Sequence, residues 1–325
     1  MRIIGLRKIR RKGKMGLDNS KSKKVNIILS SYNGEKYIHE QIESLLEQDY
    51  DNLEIHIRDD GSSDQTRDIL KEYQENNKEK IFVYFGDNVG YKKSFQWLIQ
   101  NCGNADYFAF CDQDDHWYPG KISRAVACLE KKEMDVPGVY LCDFFWCDAK
   151  MNREYKSEAY KKKHSLEKYV TFGDRNAFGF TEVFNKRAAD AVKDKKCFTQ
   201  CSHDEIVYMY CLCNGYTIWD DQVEADYRRH GGNASSLELV GGNKWSHFLW
   251  RVKTFLLNSK REEMYTRMRA FYDSFQDEMD SYTRNVYRLY LGNKGNVKKM
   301  FYPVRYRDSF MDEIAIRILF LLGRV

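Results

Sequence analysis

An apolar run, a polar cluster and a helix-spaced segment follow one another four times between residues 25 and 132. This repeat is the strongest constraint on the fold. Val25-Asn-Ile-Ile-Leu-Ser-Ser31 has the composition of a buried strand and breaks into the turn Tyr32-Asn-Gly34. Ile38, Ile42, Leu45 and Leu46 then recur at helical spacing. Leu53-Glu-Ile-His-Ile57 alternates as a second strand, ends in Arg58-Asp-Asp-Gly-Ser-Ser-Asp64, and leads to a helix over 65–75 that Asp64 is placed to cap. Ile81–Phe85, the cluster 86–90 and a helix near 91–101 make the third unit. Tyr107–Cys111, the cluster 112–116 and a helix over 119–132 make the fourth. Such alternation predicts right-handed βαβ units and a mostly parallel sheet with helices on both faces. Ligands of such sheets bind outside the carboxyl ends of the strands, where all four polar clusters should gather.

That convergence would bring Asp59, Asp60, Asp112, Asp114 and Asp115 to one crevice. Carboxylates beside a buried strand are costly unless something positive joins them. In an extended segment Asp112 and Asp114 share a face, a pattern that suits Mg²⁺ or Mn²⁺ bound together with a substrate phosphate. The plainer reading is a solvated loop at a strand end. No GxGxxG and no GxxxxGK[ST] follows the first strand, which disfavours a dinucleotide oxidoreductase and a P-loop NTPase.

Further along, Gly138–Asp148 reads as a strand, and Asn176-Ala-Phe-Gly-Phe-Thr181 as a glycine-containing loop before a short strand over 182–184. His203-Asp204 opens an apolar helix to about 213, where an acid in the first turn is ordinarily a cap and dipole partner. Tyr227-Arg-Arg-His-Gly-Gly-Asn233 follows a strand over 222–227. Arg228, Arg229 and His230 there suit a loop that closes over a diphosphate, and equally a basic surface turn.

Composition settles the remaining classes. Nine cysteines without a CxxC pair read as reduced thiols, so the expected location is the cytoplasm or the inner face of the cell membrane. Residues 1–24 hold ten Lys or Arg against the single acid Asp18, a basic tail without the apolar core of a signal peptide. Aromatic residues sit in apolar runs rather than among these cations, which argues against nucleic acid. Beyond residue 240 the pattern is helical, with Trp245, Phe248, Leu249, Val252, Phe255 and Leu256 in register. The greasy segment 310–325 is too short to span a bilayer. It is either a packed helix or homo-oligomer contact, or an interfacial helix resting on an anionic leaflet beside Arg305, Arg307, Arg317 and Arg324.

Val25–Gly34, Arg58–Asp64, Asn88-Val-Gly90 and Phe110-Cys-Asp-Gln-Asp-Asp-His-Trp117, in this order and spacing, resemble glycosyltransferase family 2, the inverting GT-A enzymes, over roughly 25–235. The Asp-Gln-Asp-Asp-x-Trp form is most similar to bacterial rhamnosyltransferases of surface polysaccharide assembly. The resemblance implies an α/β GT-A domain over 25–235, between the tail and a helical extension over 236–325. It implies that Tyr32 lies against a nucleotide base and that Asp60 accepts from a pyrimidine N–H, with Asp59 and Asp64 shaping the loop. Ser31, Asn33, Asn88, Gly90 and Gln113 would complete the donor site together with Arg228, Arg229 and His230. Asp112 and Asp114 would hold Mg²⁺ or Mn²⁺ on the diphosphate, with His230 as a further ligand and Asp115 assisting sugar or metal, or capping the next helix. Trp117, Gly179 and His203 would meet the acceptor. Asp204 would be the base that deprotonates the acceptor hydroxyl, and Glu205 its substitute. The expected reaction moves a sugar from a nucleoside diphosphate, dTDP-rhamnose before UDP-hexose, to a glycan or lipid-linked glycan. The rival from another class is a silent membrane-associated scaffold, expected to have lost Asp112, Asp114 or the base.

Overall fold

The computed structural model describes residues 22–157, 177–231, 260–292, 296–302, 304–307 and 310–321. Most of the basic tail, the segment Lys161–Lys163, Asn176, Gly232, Asn233, the helix expected around 245–256 and Arg324 lie outside these residues.

The first half follows the expected alternation. Strands β1 (Val25–Ser31), β2 (Leu53–Asp59), β3 (Ile81–Phe85) and β4 (Tyr107–Cys111) are linked by α1 (Ile38–Leu46), α2 (Thr66–Asn76) and α3 (Tyr91–Asn101). They pair in parallel in the order β3-β2-β1-β4. The two-residue β5 (His116–Trp117) and α4 (Lys121–Leu129) follow. Beyond β4 the sheet becomes mixed. It continues through β8 (Glu182–Asn185), β6 (Gly138–Cys147), β9 (Tyr216–Arg228) and β5, with β7 (Arg153–Lys156) attached to β6. β8 is antiparallel to both β4 and β6, and β9 runs parallel to β6. β9 is longer than the strand expected from the sequence. Its polar residues Asp220–Gln222 mask the period while its β6 partner supplies the hydrogen bonds.

Register brings the strand ends level. Ser31 pairs with Asp59, and Leu29 pairs with Cys111, so the segments that follow β1, β2 and β4 emerge at one edge. Strand alternation divides the core between the two faces of the sheet. Val25, Ile27 and Leu29 pack with Ile42, Leu45, Ile122 and Leu129 of α1 and α4. Ile28, Phe108 and Phe110 pack with α3, with α5 (Lys186–Val192) and with α6 (His203–Asn214). The second face also carries α7 (Lys260–Phe275), α8 (Ser281–Leu291), α9 (Asn296–Met300) and α10 (Phe310–Leu321). Among the described residues no helix is long and apolar enough to cross a membrane.

The outer side of α9 and α10 is apolar: Phe301 and Phe310 are 74% and 68% exposed, and Val297, Met311, Ile314, Ile318 and Leu321 join them. Two of the arginines expected to flank that surface turn inward instead. Arg317 pairs with Glu313 and donates to the carbonyls of Met300, Tyr302 and Val304, while Arg307 is buried. Those carbonyls close the turns between the two helices, and the guanidinium satisfies them.

Candidate active site

Loops from β1, β2 and β3 interlock to form one wall. The Asn33 backbone sits in the left-handed region at φ 48°, which the short amide side chain tolerates. Its N–H donates to Ser62 Oγ at 2.9 Å, and its Oδ1 accepts from the Ser63 N–H at 2.9 Å. Gly61, at φ +86°, passes so close to the Asn88 backbone that a Cβ would lie 2.9 Å from its nitrogen. Asp59 is wholly buried and accepts from the Ser62 N–H, from Ser62 Oγ and from Arg67 Nε. It therefore shapes the loop and does not face a donor. Asp64 accepts from Thr66 and from the Glu35 N–H. Burial opposes its ionisation, but these bonds outweigh it and hold the carboxyl below the usual range. Asp60 pairs with Arg58 and takes the N–H of Val89 at 3.0 Å and of Gly90 at 2.8 Å. Ser31 is buried and reaches Asp60 through its carbonyl, while Tyr32 and Asn88 face solvent.

The acidic segment lies beside this wall. Gln113 accepts from the Tyr32 N–H at 2.9 Å and donates to the Tyr32 carbonyl at 3.1 Å. Asp112 is half-buried, and desolvation, then the charges of Asp114 and Asp204, push its pKa up to about 8. Asp114 Oδ2 meets His230 Nε2 at 2.7 Å, and the His230 ring stacks on Tyr37 with centroids 4.5 Å apart. Asp115 is fully buried and accepts from the Arg228 N–H at 3.1 Å. α4 begins only after Gly120, so Asp115 caps nothing there and instead anchors β9.

Four expected ligand contacts meet different surroundings. Arg228 is 4% exposed, and its guanidinium is committed to the carbonyls of Asp114 and Ala149, to Glu40 and to the Tyr37 face. It is a strut between β9 and α1 rather than a diphosphate ligand. Trp117 is completely buried under α4, with the Lys121 ammonium 4.7 Å from its ring centre, so it does not line an acceptor groove. His203 lies in an aromatic slot, stacked on Phe95 with centroids 3.7 Å apart and edge-on to Phe110. Burial lowers its pKa to about 4 against the opposing pull of Asp204, so the ring is neutral. Arg229 pairs with Glu154 and lies over Trp146 and Tyr155.

Asp204 is left as the half-exposed acid of the first turn of α6, a helix capped at Ser202. Its Oδ1 accepts from the Glu205 N–H at 2.8 Å, and its charge reaches both Asp112 and Glu182. Gly179 permits this approach: a Cβ there would lie 2.6 Å from His203 Nε2 and 3.5 Å from Asp204 Cβ. Glu205 is held by Arg267 of α7 at 2.7 Å and is no substitute base. Sequence reasoning passed over Tyr37, Glu40 and Glu182. Only Glu182, an acid inside an apolar strand, carried a local signal.

Among the described residues no three His, Cys, Asp or Glu side chains already form a metal cluster. The donor set nonetheless fits a hard divalent cation that completes its shell with phosphate oxygens. The Asp114 charge bears on Asp112, His230 adds an imidazole, and among the described residues one buried Asp115 oxygen has no partner.

The family model described as glycosyl transferase family 2 matches residues 26–192, just over half of the chain. The chain belongs to glycosyl transferase family 2. This family 2 protein is 27% identical to the dTDP-rhamnosyl transferase RfbG of Shigella flexneri, over 91% of this chain and 99% of that one. It is 34% identical to the putative teichuronic acid biosynthesis glycosyltransferase TuaG of Bacillus subtilis, over 33% of this chain and 42% of that one. Its fold is similar to that of S. aureus TarS 1–349 in complex with UDP-GlcNAc (TM-score 0.55, 18% identity, 92% of each chain). It also resembles the Pyrobaculum calidifontis mannosyltransferase PcManGT in complex with GDP-Man and Mn²⁺ (TM-score 0.53, 13% identity, 93% of this chain and 75% of that one). These likenesses establish a GT-A fold with C-terminal helices.

Proposed function

We propose that this family 2 protein transfers rhamnose from dTDP-rhamnose, with inversion, to a hydroxyl of a glycan or lipid-linked glycan in surface polysaccharide synthesis. The observation that carries this reading is the meeting of Asp112, Asp114 and His230 with Asp204 at one sheet edge. The full-length similarity to a dTDP-rhamnosyl transferase supports the choice of donor. Tyr32 offers its exposed ring to the base, and Asp60 Oδ2 keeps a lone pair for a ring N–H beside Gly90. Asn88 and Gly90 border the sugar phosphate. Asp112, Asp114 and His230 hold the cation, and Mg²⁺ or Mn²⁺ there supplies Lewis acidity for the leaving nucleoside diphosphate. Asp204 takes the acceptor proton as the oxygen attacks from the opposite side. Gly179 borders the acceptor. A silent scaffold is disfavoured because Asp112, Asp114 and Asp204 are all present. The apolar outer side of α9 and α10 rests on an anionic leaflet near a lipid-linked acceptor, with Lys298 exposed beside it.

Full-length protein incubated with dTDP-rhamnose, Mn²⁺ and a glycan acceptor should release dTDP and give a product of inverted anomeric configuration by NMR. No turnover, together with no metal-dependent thermal stabilisation by dTDP or UDP, would overturn the proposal.

A further inference from the structure

Glu182 is a carboxyl buried inside the sheet. It is 0% exposed, and among the described residues neither of its oxygens has a hydrogen-bond partner. Leaving such a group without a partner is costly, and more so if it is charged. β8 places it between β4 and β6, opposite Leu141 of β6, and neither strand offers it a side-chain partner among the described residues. Alternation fixes the direction of its side chain. Val183 joins the core on the α1 and α4 side, and Phe184 joins the core on the α6 side, so Glu182 faces α6 with Phe184.

The groups it meets there are Asp204, Tyr208 and Cys211, which recur along one stripe of α6. Lys121, the buried cation nearby in the fold, sits on the opposite face against Cys142. Among the described residues Glu182 therefore has an acid and two weak acids for company and no cation. Burial first, and the Asp204 charge second, push it well above the usual carboxylate range and favour the neutral carboxylic acid. The same chain segment makes the close approach at Gly179, three residues earlier, where the backbone abuts Asp204 and His203. His203 brings no hydrogen bond to either acid, since both its ring nitrogens also have no partner.

We propose that Glu182 is a positioning residue for the transfer: from beneath Asp204 it donates its carboxyl proton through a bridging water and orients the Asp204 carboxylate toward the acceptor hydroxyl. This rests on the assignment of Asp204 as base. A neutral acid suits the task because it donates a hydrogen bond without adding a second negative charge near Asp112 and Asp204. A buried water that satisfies an otherwise unpartnered polar group is a common structural element. The arrangement also makes the protein sensitive to alkaline pH. Once Glu182 ionises it ceases to donate and repels the base it had oriented.

The test compares Glu182→Gln, whose amide still donates and never ionises, with Glu182→Leu, which does neither, both in the full chain. Glu182→Leu should lower kcat about tenfold with the KM for both substrates within twofold. Glu182→Gln should retain at least half of kcat at pH 7 and, unlike the wild type, hold it into the alkaline range. Equal losses in both variants, or alkaline limbs that coincide between wild type and Glu182→Gln, would overturn the proposal and leave Glu182 a packing residue. An infrared difference spectrum between wild type and Glu182→Gln at pH 7 should show a carboxylic-acid carbonyl band, and a carboxylate pair in its place would overturn the proposal without any substrate. If the wild type transfers no sugar while that band is present, it is the assignment of Asp204 that fails.

Discussion

The side-chain amide of Gln113 clasps both backbone polar groups of Tyr32, accepting at 2.9 Å and donating at 3.1 Å. The acidic segment after β4 and the loop after β1 are thereby held as one surface, although the two residues are 81 apart in the chain. Gly34 lies under the clasp, where a Cβ would sit 2.3 Å from Gln113 Oε1. Two such bonds contribute roughly 1–3 kcal/mol to holding the loop. Gln113→Ala should therefore weaken dTDP binding in Mn²⁺ about tenfold by calorimetry, and an unchanged affinity would show that Tyr32 is held by its other neighbours.

Asp114 and His230 join the β4 and β9 ends of the sheet at the metal position. Asp114→Asn and His230→Ala should each remove the Mn²⁺-dependent part of the thermal stabilisation by dTDP, leaving the melting temperature without metal within a few degrees. Persistence of the Mn²⁺ effect in both variants would exclude this pair as ligands.

Asp204→Asn keeps size and the first-turn position but cannot accept the acceptor proton. Transfer should fall roughly 10²–10⁴-fold while dTDP affinity stays within twofold. A variant that turns over normally but melts earlier would make Asp204 a simple helix-dipole partner.

His203 stays neutral down to about pH 4 when folded, against the ordinary histidine value of 6.5. The unfolded chain therefore takes up this proton first, and stability is lost as pH falls from 6.5 toward 4. The full window corresponds to about 3 kcal/mol. His203→Phe fits the same aromatic slot and has no proton to bind. Between pH 7 and 4.5 the stability difference between variant and wild type should move toward the variant by about 2 kcal/mol in denaturant titrations. Parallel curves would mean that the ring is hydrated.

Ile314 and Ile318 lie on the exposed apolar side of α10. Ile314→Asp with Ile318→Asp should abolish co-sedimentation with anionic vesicles without lowering the melting temperature. Equal sedimentation of both proteins would leave that surface to another copy of the chain, seen as a change in mass by light scattering.

The alternation of strand, polar cluster and helix over residues 25–132 determined the parallel half of the sheet and the edge where its polar ends meet. These signals are local: a strand period, a turn, a helical stripe, each read within a dozen residues. Asp112, Asp114 and Asp60 stood out for the same reason, as acids at the ends of apolar strands, whereas Asp204 read locally as a helix-start acid and was singled out as a base only through the family resemblance. Only the tertiary structure decided which polar side chains face the cleft and which are enclosed. Arg228, Trp117, His203, Glu205 and Asp59 carry the same residue types as a binding site, yet each is buried against an element distant in sequence or enclosed by its own loop. Burial and partner choice depend on packing between segments up to 188 residues apart, as in Arg228 with Glu40, and no local pattern encodes that distance. Glu182 shows the converse: an acid in an apolar strand was visible in the chain, but its meaning came only when α6 placed Asp204 above it.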